Sequence, residues 1–172
     1  MRKVEVRSYC SEWTQMFRHE ADILRNIFGR QLEAVYHIGS TAVPGLKAKP
    51  IIDIMLVVKD IGFIDRLNHS MTKIGYQPKG ENGIPGRRYF EKGGDGRTHH
   101  VHVFQGGDFH VERHLAVRDY LRTHPDAARE YGELKERLAQ QFPWDIEQYI
   151  LGKEPFVEQL EKCALWWYRQ GY

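Results

Sequence analysis

At 172 residues the chain is long enough for one domain with a core of its own, here taken as residues 1–172, and too short for several. Hydrophobic residues make up 41% and charged residues 28%, which excludes a disordered polyelectrolyte, and no apolar run reaches membrane-spanning length. The formal charge of +2, from 25 basic and 23 acidic side chains, makes no case for a nucleic-acid partner.

Cys10 and Cys163 lie far apart, in no metal-like or redox-like spacing, so unpaired thiols and a cytoplasmic location are expected. Along the chain, Ser11 is placed to cap a helix in which Trp13, Met16, Phe17, Leu24, Ile27 and Phe28 recur at helical spacing, and Gly29 to end it. Leu32 to Ile38 reads as a strand that runs into Gly39-Ser40-Thr41, and the hinge residues Pro44 and Gly45 follow. Pro50 to Val58 is a nearly continuous apolar run, as in a buried central strand, interrupted by one carboxylate, Asp53. Ile61, Ile64, Leu67, Met71 and Ile74 predict a second helix, closed by Gly75.

Two short strands are expected at Arg88 to Lys92 and His99 to Phe104, joined by Gly93-Gly94-Asp95-Gly96. From about Phe109 the pattern is helical. Pro125 can begin one helix, with Ala127, Tyr131, Leu134, Leu138 and Phe142 as its buried stripe. Pro155 can begin the last, with Phe156, Leu160, Ala164 and Trp167 facing inward. Strands early and helices late predict an α+β domain: a mixed β-sheet with flanking helices and a C-terminal helical segment.

The chemistry concentrates between residues 37 and 54. A Gly-Ser turn offers backbone N–H groups and hydroxyls to a phosphate, and Gly39 permits a close approach that a side chain would block. Ser40 and Thr41 add hydroxyl donors, and Lys49 and Arg88 are the candidate phosphate-binding cations. A carboxylate within an apolar strand is costly to bury unless it is paired or metal-bound, so Asp53 is either a salt-bridged structural residue or a functional one. In His99-His100-Val101-His102-Val103 the alternation puts His100 and His102 on one face. Facing Asp53, they make an Asp/His cluster that can hold a divalent ion or hydrogen-bond a phosphate directly. Asp53 and His102 are the candidate catalytic residues; Asp53, His100 and His102 are the candidate ligands for Mg, Mn or Zn.

The string HIGSTAVPGLKAKPIIDI, residues 37–54, resembles the GrpB family, whose fold is that of the nucleotidyltransferase superfamily, and the segment from His114 to Pro125 matches the same pattern. The resemblance implies a nucleotidyltransferase-like fold, a nucleotide or phosphorylated small molecule as ligand, and a divalent metal carried over at Asp53 alone. Active members of the superfamily carry a second carboxylate two residues on, where this chain has Met55. Three classes of function therefore fit: nucleotidyl transfer to a small acceptor, metal-dependent chemistry of another type at the Asp/His cluster, or nucleotide binding without catalysis.

Overall fold

The structure is a computed structural model that describes residues 1–171. Its elements in chain order are α1 (Glu12–Phe28), β1 (Leu32–Ile38), β2 (Ile52–Val58), α2 (Asn68–Lys73), β3 (Tyr76–Pro78), β4 (Arg88–Lys92), β5 (His99–Gln105), α3 (Phe109–Thr123), α4 (Pro125–Gln141) and α5 (Ile146–Arg169). The strands form one five-stranded mixed sheet in the order β1-β2-β5-β4-β3. Only β2 and β5 run parallel; the other neighbours are antiparallel. No helix among the described residues is long and apolar enough to cross a membrane.

Side-chain alternation divides the sheet into two faces. Ile52, Ile54, Leu56, Val58, Val101, Val103 and Phe90 point to one side and bury against Trp13, Leu24 and Phe28 of α1 and Met71 of α2. Each large side chain fully buried there contributes roughly 1.5–3 kcal/mol relative to exposure, so this layer dominates the stability of the domain. The opposite face carries Ile38, Met55 and Phe104 under Val111 and Leu115 of α3, and also the polar residues Asp53, His100 and His102. The register of β2 on β5 sets Asp53 beside His100 and Met55 beside His102.

Four local expectations are corrected. Ser11 has helical backbone angles and its side chain makes no capping bond, so α1 is entered without the expected cap. Met16 in α1 is exposed; the burial passes instead through Glu20 and Ala21. The second predicted helix is a 3₁₀ segment over Ile61–Leu67, capped by Asp60, before the short α2. Pro155 lies inside α5, which starts at Ile146 with the Asp145 carboxylate accepting from the Gln148 N–H. A mid-helix proline frees the carbonyl four residues earlier; that residue, Leu151, is half exposed, so water can take the bond. The sequence reading also lacks β3, three residues too short to show a period and ending in proline at the sheet edge.

Candidate functional site

The turn after β1 is held in place by residues distant in sequence. Gly39 has φ +72°, and a Cβ added there would sit 2.8 Å from Asp53 Oδ2 and 3.2 Å from Asp53 Cβ. Glycine is thus required for its backbone angle and for the close approach of the carboxylate. The guanidinium of Arg118 donates to the His37 carbonyl at 3.4 Å and that of Arg122 to the Ala42 carbonyl at 2.9 Å, bracketing the turn from α3. Arg118 also pairs with Asp119 at 2.8 Å. These basic residues of α3 fasten the turn.

Around Asp53, two imidazoles share one oxygen. His102 Nε2 lies 3.1 Å and His100 Nδ1 3.3 Å from Asp53 Oδ1. Burial alone would raise the Asp53 carboxyl, but the hydrogen bonds from His100 and His102 reverse this and hold it well below the usual carboxylate range. His102 Nδ1 lies 3.4 Å from Arg87 Nη1, a donor that cannot lose its proton. His102 therefore accepts from Arg87 and donates to Asp53 as a neutral ring, in keeping with the lowering that its burial imposes. His100 Nε2 is buried without a hydrogen-bond partner.

The donor set does not suit the metal cage of the superfamily. Met55, where the superfamily has its second carboxylate, is fully buried in the apolar cluster with Ile38 and Phe104. Among the described residues no group of three or more His, Cys, Asp or Glu side chains is arranged to hold a metal ion. Asp53, His100 and His102 form a hydrogen-bonded cluster whose shared oxygen is already taken by two N–H donors. The residues do not fit a resident two-metal centre.

Beside this cluster stand three lysines, two of them brought in by helices. Lys135 of α4 is buried and its ammonium donates to Ser40 Oγ at 2.8 Å. It also lies 4.5 Å from the centroid of the Tyr131 ring. Lys49, before β2, and Lys153 of α5 lie 5.2 and 4.7 Å from the centroid of one ring, Tyr149, whose buried hydroxyl has no partner. Burial, then the charges of Lys153 and Lys49, push Lys135 well below the ordinary lysine value. Burial, then the charges of Lys153 and Arg2, lower Lys49 to about 8, and burial lowers Lys153. The Asp53 charge opposes all three shifts. Among the described residues none of the three has a carboxylate within ion-pair distance, whereas Lys47, Lys79 and Lys92 each do. Desolvated cations gathered this way stand without the counter-charge that burial calls for.

Of the sequence-predicted residues, Gly39, Ser40, Lys49, Asp53, His100 and His102 thus gather in one region. Thr41 does not present its hydroxyl there: it is buried and bonded to His37 Nε2 at 2.9 Å. His37 stacks on Phe17 of α1 and belongs to the other face of the sheet. Arg88 likewise points to that other face and pairs with Asp65 at 2.7 Å. The cation at the cluster is its neighbour Arg87, one residue earlier and so on the opposite side. Sequence reasoning missed Lys135, Lys153 and Tyr149. One signal was available: Lys135 sits between Tyr131 and Leu138 in the apolar stripe of α4, where an unpaired charge is out of place.

The family model described as GrpB protein matches residues 3–162. The UPF0157 protein YqkA of Bacillus subtilis is 48% identical over 166 residues, covering 96% of this chain but 48% of the relative, so the chain spans about half that protein's length. The crystal structure of conserved protein GrpB from Enterococcus faecalis aligns with TM-score 0.93 at 44% identity, covering 95% of this chain and 99% of that one. A structure of the Cid1 poly(U) polymerase aligns with TM-score 0.54 at 13% identity over 77% of this chain and 44% of the polymerase, a likeness of fold alone. The chain belongs to the GrpB family and has a nucleotidyltransferase-like fold.

Proposed function

We propose that this GrpB-family chain binds a nucleotide or another polyphosphate-bearing metabolite, with Lys49, Lys135, Lys153 and Ser40 on the outer phosphates, and transfers a nucleotidyl group to a small acceptor. The observation that carries the reading is that Lys135 holds Ser40 of the Gly-Ser turn while Lys49 and Lys153 converge on the Tyr149 ring, none of the three having an acidic partner among the described residues. The fold likeness to Cid1, one of whose structures holds MgGTP, adds support. A divalent cation enters in this reading as part of the substrate, carried on its phosphates.

In such a transfer the acceptor oxygen or nitrogen forms a bond to the α-phosphorus. The bond to the bridging oxygen breaks, pyrophosphate leaves with the electron pair, and the acceptor's proton must go to a base. The lysines neutralise the charge that grows on the leaving group, and water exclusion makes each of them more effective. His100 is the candidate base: its Nδ1–H is oriented by Asp53, and its Nε2, buried and without a partner, must be uncovered as the acceptor enters. His102, with both nitrogens occupied, positions Asp53.

The test is pyrophosphate release from each nucleoside triphosphate with Mg, Mn or Zn and pooled small-molecule acceptors. Release that disappears in Lys135→Met and in His100→Ala supports transfer. Tight nucleotide binding without release under any condition leaves a binding protein. A metal-first reading stays testable beside it, because both imidazole nitrogens lie within 3.3 Å of Asp53 Oδ1. It requires release that depends on Zn or Mn and is lost in His102→Ala.

A further inference from the structure

A cavity of about 540 Å³ lies next to the lysine cluster and shares Lys49 with it. Its other walls come from the N-terminal segment, α1 and the loop between β4 and β5, including Arg2, Ser8, Trp13, Arg97 and Thr98. Two guanidiniums meet here. Arg97 is bonded through Nη1 to Glu91 at 2.8 Å, but Glu91 is shared with Lys79 at 3.3 Å, and Arg97 Nε is buried with no partner. Arg2, lowered by burial and then by the charge of Arg97 against the opposing charges of Glu91 and Asp95, has no carboxylate within ion-pair distance among the described residues, whereas Arg97 and Arg7 do. Arg7 of the same wall is already neutralised by Glu5 at 2.9 Å. Glu12 and Asp95 also line the cavity, and Trp13 gives it an apolar side. Arg2 and Lys49, neither with a carboxylate in range among the described residues, stand on one wall with Arg97, whose Glu91 is shared with Lys79, and such a wall suits a carboxylate or a phosphate.

We propose that this cavity binds the acceptor, a small metabolite bearing a phosphate or carboxylate that rests on Arg97 and Arg2, with its reactive end directed past Lys49 toward Asp53. The acceptor role rests on the nucleotide reading above; the anion site itself does not. Lys49, bordering both spaces, feels the charges of Arg2 and Arg97 as well as those of Lys153 and Asp53, which links the two ligands electrostatically. A nucleotide on the lysines removes part of that repulsion, and an acidic acceptor removes the rest.

The experiment follows the Arg Nε–H and backbone N–H resonances of the full chain in ¹⁵N-labelled protein. Glycerol 3-phosphate and succinate are the probes, each added alone and after saturation with a non-hydrolysable ATP analogue. The expected result is a saturable shift of Arg97 Nε–H and of the Thr98 and Ser8 amides, persisting when the analogue is present. Which probe binds more tightly distinguishes phosphate from carboxylate. Arg97→Gln should weaken the probe about tenfold or more while changing the analogue's affinity far less. Arg2→Gln is the second variant and should weaken it in the same direction. Lys135→Met should do the reverse, weakening the analogue and sparing the probe. Shifts confined to Lys135, Lys153 and Ser40, or no Arg97 response to either probe, would overturn the proposal. If the analogue fails to bind while the probes still shift Arg97, the anion site stands, and the nucleotide reading and acceptor role are lost.

Discussion

Lys135 on α4 donates a hydrogen bond of 2.8 Å to Ser40 Oγ, a residue 95 positions earlier in the turn after β1. One contact ties the C-terminal helices to the Gly-Ser turn. The polar end of the sheet is therefore completed by residues that the sheet does not carry, and the helical segment is part of the site.

Replacing that lysine separates stability from binding. Lys135→Met removes a buried charge with no carboxylate partner and keeps the volume of the stem. The ligand-free protein should be at least as stable as wild type, by about 1 kcal/mol or more. Affinity for an ATP analogue should fall by roughly 10- to 100-fold, the loss expected for a hydrogen bond between charged groups. Thermal unfolding and calorimetry on the same samples check both; a variant that loses stability and keeps its affinity would contradict the assignment.

Binding should be linked to pH through Lys49. Burial first, then the Lys153 and Arg2 charges, lower it from 10.5 to about 8. Between those values the unfolded chain holds more protons than the folded one, so this group makes stability rise with pH across that window. A polyanion restores the proton. Ligand binding should therefore take up protons near and above pH 8, and affinity should weaken as pH climbs past it. Calorimetry in two buffers of different ionisation enthalpy reads the uptake; no proton transfer at that pH would count against Lys49 as a ligand contact.

Gly39→Ala tests the close approach of turn and carboxylate. The angles φ +72°, ψ −171° lie where essentially only glycine goes and cost an alanine about 1–3 kcal/mol, and the added Cβ would meet Asp53 Oδ2 at 2.8 Å. Gly45→Ala is the control, since Gly45 has φ +83° and a Cβ added there would have no atom within 4 Å. Urea unfolding should show the larger loss at Gly39. Equal losses would mean that the contact with Asp53 is unimportant.

Asp53→Asn keeps the shape and removes the anion. The His100 and His102 bonds hold the Asp53 carboxyl well below its ordinary value of 3.8. Its contribution to stability is present above that value and is lost as pH falls through the lower folded-state value. At neutral pH the variant should lose about 1–3 kcal/mol, the worth of charge-assisted hydrogen bonds, and it should lose less on further acidification than wild type. Titration of wild type with Mn or Zn alone should show no tight site. Tight binding abolished by Asp53→Asn would establish the metal-first reading instead.

Much of this was legible in the sequence. The period-2 alternation of His100 and His102, and the lone acid in Ile52-Asp53-Ile54, point to one shared face, and the three side chains meet there. The same alternation explains why Arg87, and not Arg88, reaches His102. Position 55 shares the Asp53 face, yet its distance along the strand carries it under α3, where Met55 packs with Ile38, Phe104, Val111 and Leu115. Lys135 and Lys153 were hidden for another reason. Charges on a helix read as solvated until the helix packing is known; the place of Lys135 in the apolar stripe of α4 was the one local signal, and Lys153 had none.

We propose that a polyphosphate sits on Lys49, Lys135, Lys153 and Ser40. A crystal structure of the chain with a non-hydrolysable ATP analogue and Mg tests it most directly. The account predicts the outer phosphates within hydrogen-bond distance of the three ammonium groups and the Ser40 hydroxyl, with the α-phosphate facing Asp53 and His100. Phosphates bound elsewhere, with these lysines unengaged, would contradict it.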